Sequence, residues 1–94
     1  MLRISEIWIS HLKLRNPLQI RSMIQNLEVL PPISISESED GTFQLEDGHH
    51  RLLSHWLSGK DYLDSHEYIL ILKNSWRPRK GKIEDVFNQL KKPA

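Results

Sequence analysis

The sequence has 94 residues, with 13 lysines and arginines against 12 aspartates and glutamates, and it contains no cysteine. This length is enough for one modest hydrophobic core, so we expect a single domain over residues 1–94. The lack of cysteine excludes a disulfide scaffold and a thiol nucleophile in this chain, and a net charge of +1 excludes a whole-molecule field that attracts nucleic acids or membranes.

The first third of the chain predicts a strand followed by a helix. Residues 3–9 mix apolar and polar side chains in the pattern of a strand with one buried face. Charged residues within this stretch argue against a signal peptide or a membrane span, so we expect a cytoplasmic protein without a membrane partner. Asn16 is placed to cap a helix that begins at Pro17, and the Leu-Pro-Pro sequence at 30–32 ends it.

This helix is predicted to have a polar face and an apolar face. Gln19, Ser22 and Asn26 recur at helical spacing and form the polar face. The positions expected to reach the core are Leu18 or Ile20, Met23, Ile24 and Leu27.

A hairpin and a second helix are predicted next. The alternating runs ISISE and TFQLE are separated by a turn that contains Gly41, where a positive φ is easily adopted. From Gly48 to Leu57 the periodicity becomes helical, and Gly59 is placed to end the helix. The side expected to be buried carries Leu52, Leu53, Trp56 and Leu57, and the side expected to be exposed carries Arg51, Ser54 and Ser58.

The last third of the chain predicts a strand, a basic loop and a helix. The run EYILILK, residues 67–73, is the most apolar and is therefore expected to be the central strand. Residues 74–82 form the basic loop, and 83–90 repeat apolar residues at Ile83, Val86, Phe87 and Leu90. The order of elements predicts an α+β domain with a mixed sheet and three helices.

The sequence DGHHR, residues 47–51, lies where the hairpin meets the second helix and predicts an anion site. The first N–H groups of a helix lack intrahelical partners and carry partial positive charge. Gly48 lets the backbone approach a ligand, and His50 and Arg51 add donors. A hydrogen bond to a charged group contributes about 1.5–3 kcal/mol against roughly 0.3–1 kcal/mol from the dipole, so Arg51 is expected to dominate binding.

Each of these residues also has a structural interpretation. Asp47 is placed to cap the helix, to bind a cation that accompanies a phosphate, or to act as a base. His49 is expected to be partly buried and hydrogen-bonded. Arg51 points away from the apolar side if the helix is regular, where it would be an ordinary solvated arginine. His55, four residues later, is expected on the surface.

The histidine-rich sequence HHRLLSH does not predict a metal site. No two of its histidines are three or four residues apart, the spacing that chelation along one helix face requires. His11 or His66 would have to complete a site in three dimensions, and nothing in the sequence demands this. We therefore assign no metal ligands from the sequence. A Ser-His-Asp triad is not predicted either, because no serine lies in a nucleophile-elbow context.

The segment LPPISISESEDGTFQLEDGHHRLLSHWLSG, residues 30–59, resembles the ParB/sulfiredoxin superfamily, in which PPI and a hairpin precede a Gly-X-His-Arg turn that opens a helix. The resemblance covers most of residues 2–73 and implies a ParB/sulfiredoxin-like fold. It implies that Gly48, His50 and Arg51 hold nucleotide phosphates, with Ser22 and Asn26 contributing from the earlier helix.

The sequence departs from that superfamily at His49, Gln19 and Asn26, whereas Ser22 is retained. The sulfiredoxin cysteine corresponds to His49, so sulfinic-acid reduction is not available to this protein. Gln19 replaces a phosphate-binding lysine. The DGHHR sequence is closer to ParB-like members, including the free serine kinase branch, in which the turn aspartate takes part in phosphate handling. The resemblance thus implies catalytic roles for Asp47 and His49, with ATP or CTP and Mg²⁺ as cofactors.

Three functions are compatible with these patterns. The first is a nucleotide-phosphate-binding domain, with NTPase or phosphotransfer activity as an extension. The second is a ParB-like module that binds DNA or a protein partner, or a nuclease-like protein, without nucleotide chemistry. It would use a basic patch beside Trp76 that consists of Arg77, Arg79, Lys80 and Lys82, although this stretch also reads as a solvated loop. The third is a degenerate domain that keeps the fold alone. A homodimer is compatible with each of them.

Overall fold

The predicted hairpin forms the middle of a five-stranded mixed β-sheet. The structure, a computed structural model, describes residues 1–10, 12, 17–72 and 79–91. The strands are β1 Leu2–Arg3, β2 Ile7–Ile9, β3 Ile33–Glu37, β4 Phe43–Asp47, β5 Tyr62–Leu63, β6 Tyr68–Leu72 and β7 Gly81–Lys82, and the helices are α1 Pro17–Gln25, α2 His49–Leu57 and α3 Ile83–Lys91. The α+β class with a mixed sheet and three helices is confirmed.

The strand order in the main sheet is β6-β3-β4-β2-β7, and β1 pairs with β5 in a separate two-stranded sheet. Strands β3 and β4 are antiparallel, with Ile35 opposite Leu45, whereas β2 runs parallel to β4 and β6 runs parallel to β3. In the hairpin turn the Ser38 N–H donates to the carbonyl of Thr42 at 2.9 Å, and Gly41 has a φ of 83°. The predicted hairpin is confirmed.

The strand predicted over residues 3–9 is interrupted by a 3₁₀ turn at Ile4–Glu6. The prediction was wrong because side chains in a continuous strand alternate between the two faces, which would send Ile4 and Ile7 to opposite sides. A 3₁₀ turn has three residues per turn and brings both of them to the same side. Ile4, Ile7 and Ile9 are all fully buried as a result.

The strand expected at the centre, β6, lies at the edge of the sheet. It pairs with β3 only, from Ile33 opposite Tyr68 to Glu37 opposite Leu72, and its other side has no strand partner in the described part of the chain. Ile69 and Leu70 are 52% and 45% exposed. The prediction was wrong because β4, which bonds to both β3 and β2, takes the central position that hydrophobicity alone assigned to β6.

Helix α1 begins at Pro17 as predicted, and it packs against α2. Of the two alternatives for its first core position, Ile20 is buried and Leu18 is 75% exposed. The helix ends at Gln25, before the Leu-Pro-Pro sequence, because a 3₁₀ turn at Leu27–Val29 intervenes. The expected cap, Asn16, lies outside the described residues.

Helix α2 is buried on more sides than its periodicity predicted. Leu52 and Leu53 are fully buried as expected, which stabilises the fold by about 1.5–3 kcal/mol for each side chain. Ser54 and His55 are buried as well, whereas Leu57 in the last turn is 45% exposed, so their expected positions were wrong. The hydroxyl of Ser54 donates to the carbonyl of His50 at 2.7 Å, which satisfies the buried polar group. As predicted, Gly59 follows the helix with a φ of 97°.

Helix α3 closes the core behind β7. Ile83 and Val86 are fully buried, and Phe87 packs against the core from a half-buried position. The Lys82 N–H donates to Asp85 Oδ2 at 2.8 Å, which adds a side-chain acceptor at the start of the helix. The side chain of Leu90 lies outside the described residues. No helix in the described ranges is long and apolar enough to cross a membrane.

Candidate functional site

A single residue, Gly48, connects β4 to α2. Its φ is 105°, in the left-handed region that favours glycine. A Cβ atom at this position would lie 2.6 Å from Cγ2 of Ile33 and 3.3 Å from Cζ of Arg51. Both the backbone conformation and the close packing therefore require glycine here.

Gly48 is also the N-cap of α2, and a glycine has no side chain that could accept a hydrogen bond from the first turn. The role of helix cap considered for Asp47 was therefore wrong, because this residue is the last of β4 and lies one position too early. Its carboxylate is 78% exposed and pairs with Arg51 Nη2 at 3.2 Å. Neither Gly48 nor Asp47 therefore supplies a side-chain cap to the start of α2.

Arg51 is not a solvated arginine. Its side chain is 17% exposed, and Nη1 donates to the carbonyl oxygens of Pro31 at 3.2 Å and Pro32 at 2.9 Å. The third contact is the ion pair with Asp47. The guanidinium therefore connects the first turn of α2 to the chain that enters β3, which is a structural role beside any role in binding.

The two histidines that follow Gly48 pack edge to face, with ring centroids 5.8 Å apart and planes at 81°. His49 is half-buried as predicted. The Nε2 atom of His50 is buried and has no hydrogen-bond partner among the described residues. Burying a polar atom without a partner costs free energy, so a ligand that bonds to this nitrogen would remove that cost.

These residues line a cavity of about 300 Å³ between α1 and the start of α2. Gln19 and Met23 supply the wall from α1. The expected wall residues, Ser22 and Asn26, do not line the cavity: both are exposed, and Asn26 Nδ2 donates to the Ser22 carbonyl at 3.0 Å. The remaining lining residues are Ser10, Leu45, Glu46, Asp47, Gly48, His49, His50 and Arg51.

Sequence reasoning singled out the DGHHR stretch and missed the other side of the cavity. Gln19 was placed on the polar face of the first helix but treated as a substituted phosphate-binding position, and Met23 was expected to be a core residue. Ser10 and Glu46 were not considered. Glu46 directly precedes Asp47. This position, one residue before the turn, is the feature of the sequence that could have identified Glu46 as a lining residue.

The charge balance of this cavity favours an anion that arrives with a cation. The lining carries the carboxylates of Glu46 and Asp47 against the guanidinium of Arg51. A phosphate alone would meet the amide-rich start of α2 but also two acidic side chains. Carboxylates and phosphate oxygens are the ligands that Mg²⁺ prefers, so a magnesium-bound phosphate fits this donor set better than a bare anion.

The basic loop predicted to bind DNA is partly engaged within the domain. Arg79 Nη2 donates to Ser38 Oγ at 3.1 Å and Thr42 Oγ1 at 2.8 Å, and Lys82 Nζ lies 4.8 Å from the ring centroid of Trp8. Lys80 is exposed. Arg77 and Trp76 lie outside the described residues, as does His11. DNA or partner binding through this loop stays a prediction.

Comparison of the sequence and structure with protein-family models, curated proteins and solved structures gave no match. The relationship to the ParB/sulfiredoxin superfamily accordingly stays a hypothesis based on residues 30–59.

Proposed function

We propose that this protein binds a nucleotide through its phosphates, together with Mg²⁺, in the cavity at the start of α2. The observation that carries the proposal is the buried Nε2 of His50, which lacks a partner among the described residues beside a helix start without a side-chain cap. A phosphate oxygen would accept from this imidazole and from the first amides of α2 at the same time. The resemblance to the ParB/sulfiredoxin superfamily supports the same ligand.

The size of the cavity supports binding of the phosphates in preference to the whole nucleotide. Its volume of about 300 Å³ is at the lower end of small-molecule sites, which measure about 300–1,000 Å³. The phosphates would therefore lie inside and the nucleoside largely outside. Gly48 brings the backbone to the phosphates without an intervening side chain, and Gln19 donates or accepts from the opposite wall.

Asp47 is the residue best placed to meet the metal. Its carboxylate is exposed at the cavity and is oriented by the ion pair with Arg51. Mg²⁺ is commonly bound through one or two carboxylates together with substrate phosphates. Arg51 would contribute through the placement of Asp47 as well as through its own charge.

An extension of this proposal is that the bound nucleotide undergoes phosphoryl transfer. The chemistry needs mainly positioning and charge neutralisation. In such a reaction the carboxylate of Asp47 or the imidazole of His49 would accept the proton of the attacking water or hydroxyl as its oxygen bonds to the γ-phosphorus. The bond from that phosphorus to the bridging oxygen would break, and this oxygen would leave with the nucleoside diphosphate. The products would be a nucleoside diphosphate together with either free phosphate or a phosphorylated acceptor. Release of phosphate from ATP or CTP measures the first outcome.

Thermal unfolding with a nucleotide panel tests the binding proposal. ATP or CTP with Mg²⁺ should raise the melting temperature, because a ligand at about 100 times its Kd adds about 2.7 kcal/mol to the free energy of unfolding. His50→Ala and Gln19→Ala should reduce this shift. Ser22→Ala, outside the cavity on the same helix as Gln19, should retain it. The proposal fails if no nucleotide at millimolar concentration shifts the transition, or if His50→Ala responds like the unmodified protein.

A further inference from the structure

A second polar cluster surrounds the buried imidazole of His55, near the end of α2. His55 is 2% exposed, and its Nδ1 lies 3.3 Å from Oε2 of Glu67. The two atoms lack hydrogen-bond geometry, so Nδ1 is a buried nitrogen without a hydrogen-bond partner among the described residues. The location of this histidine in the core is a cost to the fold unless another group uses its lone pair.

Three potential metal ligands lie beside this imidazole, in the turn between β5 and β6. Asp64, His66 and Glu67 each offer one ligand atom, and these atoms all lie within 4.8 Å of one another. Glu67 is held in place because it accepts from the Asp64 N–H at 2.9 Å. His55, His66 and Glu67 also line a common cavity of about 260 Å³.

The ammonium of Lys60 is the cation that this cluster contains now. Its Nζ lies 2.5 Å from Glu67 Oε1 and 3.7 Å from Asp64 Oδ2. It neutralises both carboxylates, yet it leaves Nδ1 of His55 without a bond. Ion pairing with a lysine therefore explains the acidic residues of the cluster but does not explain the buried imidazole or the neighbouring His66.

We propose that His55, Asp64, His66 and Glu67 form a site for a divalent transition metal of the Zn²⁺ type. Two imidazole nitrogens and two carboxylate oxygens provide the four donors of a tetrahedral zinc site. Imidazole ligands suit zinc and its neighbours in the first transition row, whereas magnesium and calcium prefer oxygen ligands alone. The metal would displace the ammonium of Lys60 and connect the end of α2 to the β5–β6 turn.

The geometry requires Asp64 and His66 to move toward His55, whose Nδ1 lies 3.3 Å from Glu67 Oε2. Ligand atoms about 2.1 Å from zinc are roughly 3.4 Å apart in a tetrahedron, which is closer than the widest separation of 4.8 Å in the turn. Asp64 and His66 are exposed and have room to rotate toward the buried ligands.

Metal titration of the purified chain tests this site, independently of the nucleotide cavity. After chelator treatment and dialysis, calorimetry should show one Zn²⁺ bound per chain, and Co²⁺ should give the visible absorption of a four-coordinate ion. Asp64→Asn and His66→Ala remove exposed ligands, so folding should survive, and affinity should fall by at least about tenfold. Asp61→Asn changes another exposed carboxylate, on the segment between α2 and β5, and should bind like the unmodified chain.

Two further results decide the assignment. Lys60→Gln removes the competing cation and should tighten Zn²⁺ binding, whereas the same or weaker binding would overturn the site as assigned. The site is also overturned if binding does not saturate at one equivalent, or if Asp64→Asn and His66→Ala bind zinc as tightly as Asp61→Asn does. Circular dichroism of each variant confirms that lost binding does not come from lost folding.

Discussion

The guanidinium of Arg51 donates to the carbonyl oxygen of Pro32 at 2.9 Å, and this bond attaches the first turn of α2 to the chain that enters β3. A second bond to Pro31 and the pair with Asp47 complete the contacts. The arginine that the sequence marks as a ligand-binding residue is therefore also part of the scaffold that shapes the cavity.

Arg51→Ala should lower the free energy of unfolding by about 1–3 kcal/mol in the absence of ligand, because it removes hydrogen bonds from a charged and largely buried group. Urea denaturation measures the change. Arg21→Ala, an exposed arginine on α1, is the control and should change stability by less than about 0.5 kcal/mol. Equal stabilities of the two variants would contradict the scaffold role of Arg51.

Gly48→Ala should destabilise the protein more than Gly41→Ala. Both glycines have positive φ, so alanine is strained at either position, at a cost on the order of 1–3 kcal/mol. Only at Gly48 would the new Cβ also collide with buried Ile33, because nothing lies within 4 Å of that point at Gly41. Denaturation midpoints of the two variants separate backbone strain from the collision, and similar midpoints would show that the junction relaxes.

Stability should depend on pH through Asp40. The hydroxyl of Thr42 donates to Asp40 Oδ1 at 2.7 Å, and this hydrogen bond lowers the pKa of Asp40 below its usual value. A lowered carboxyl pKa in the folded state adds stability above the unfolded pKa of about 3.9, and this stability is lost as the pH falls through the folded pKa.

Asp40→Asn should therefore reduce stability at pH 7, and the difference from the unmodified protein should disappear at the acidic end of a pH series. Urea midpoints measured from neutral pH to roughly pH 2.5 test this. Glu39→Gln, which changes the exposed acidic neighbour, is the matched control. A difference that persists unchanged at low pH would exclude titration of Asp40 as its cause.

Ile35 and Leu70 are opposite one another in β3 and β6, but their truncation should have unequal effects. Ile35 is fully buried, so Ile35→Ala should cost about 2–5 kcal/mol. Leu70 is 45% exposed on the edge strand, so Leu70→Ala should cost about 1 kcal/mol or less. Similar costs measured by denaturation would indicate that the outer face of β6 is covered in solution.

Part of the candidate site was predictable from the sequence. The residues Asp47–Arg51 were identified as a junction between strand and helix, and they do line one cavity. The wall from α1 was assigned to Ser22 and Asn26, but Gln19 and Met23 supply it. Which turn of α1 faces the cavity depends on how that helix rotates as it packs against α2, and helical spacing alone does not determine this rotation.

Local signals in the sequence determined the three helices and the hairpin. Pro17 marks the start of α1, Gly59 follows the end of α2, and Gly41 forms the hairpin turn. These features depend on backbone preferences and on contacts between residues close in the chain, which a single sequence contains.

Only the tertiary structure decided the strand order, the burial of His55 and the cluster around it. The pairing of β3 with β6 and the approach of His55 to Glu67 join segments far apart in the chain or on separate elements. Such contacts depend on how the whole core packs, because a buried position is defined by neighbours from several elements. The periodicity of α2 indicates only which of its own residues share a face, and not what packs against them. It therefore predicted a surface position for His55, which is buried in the core.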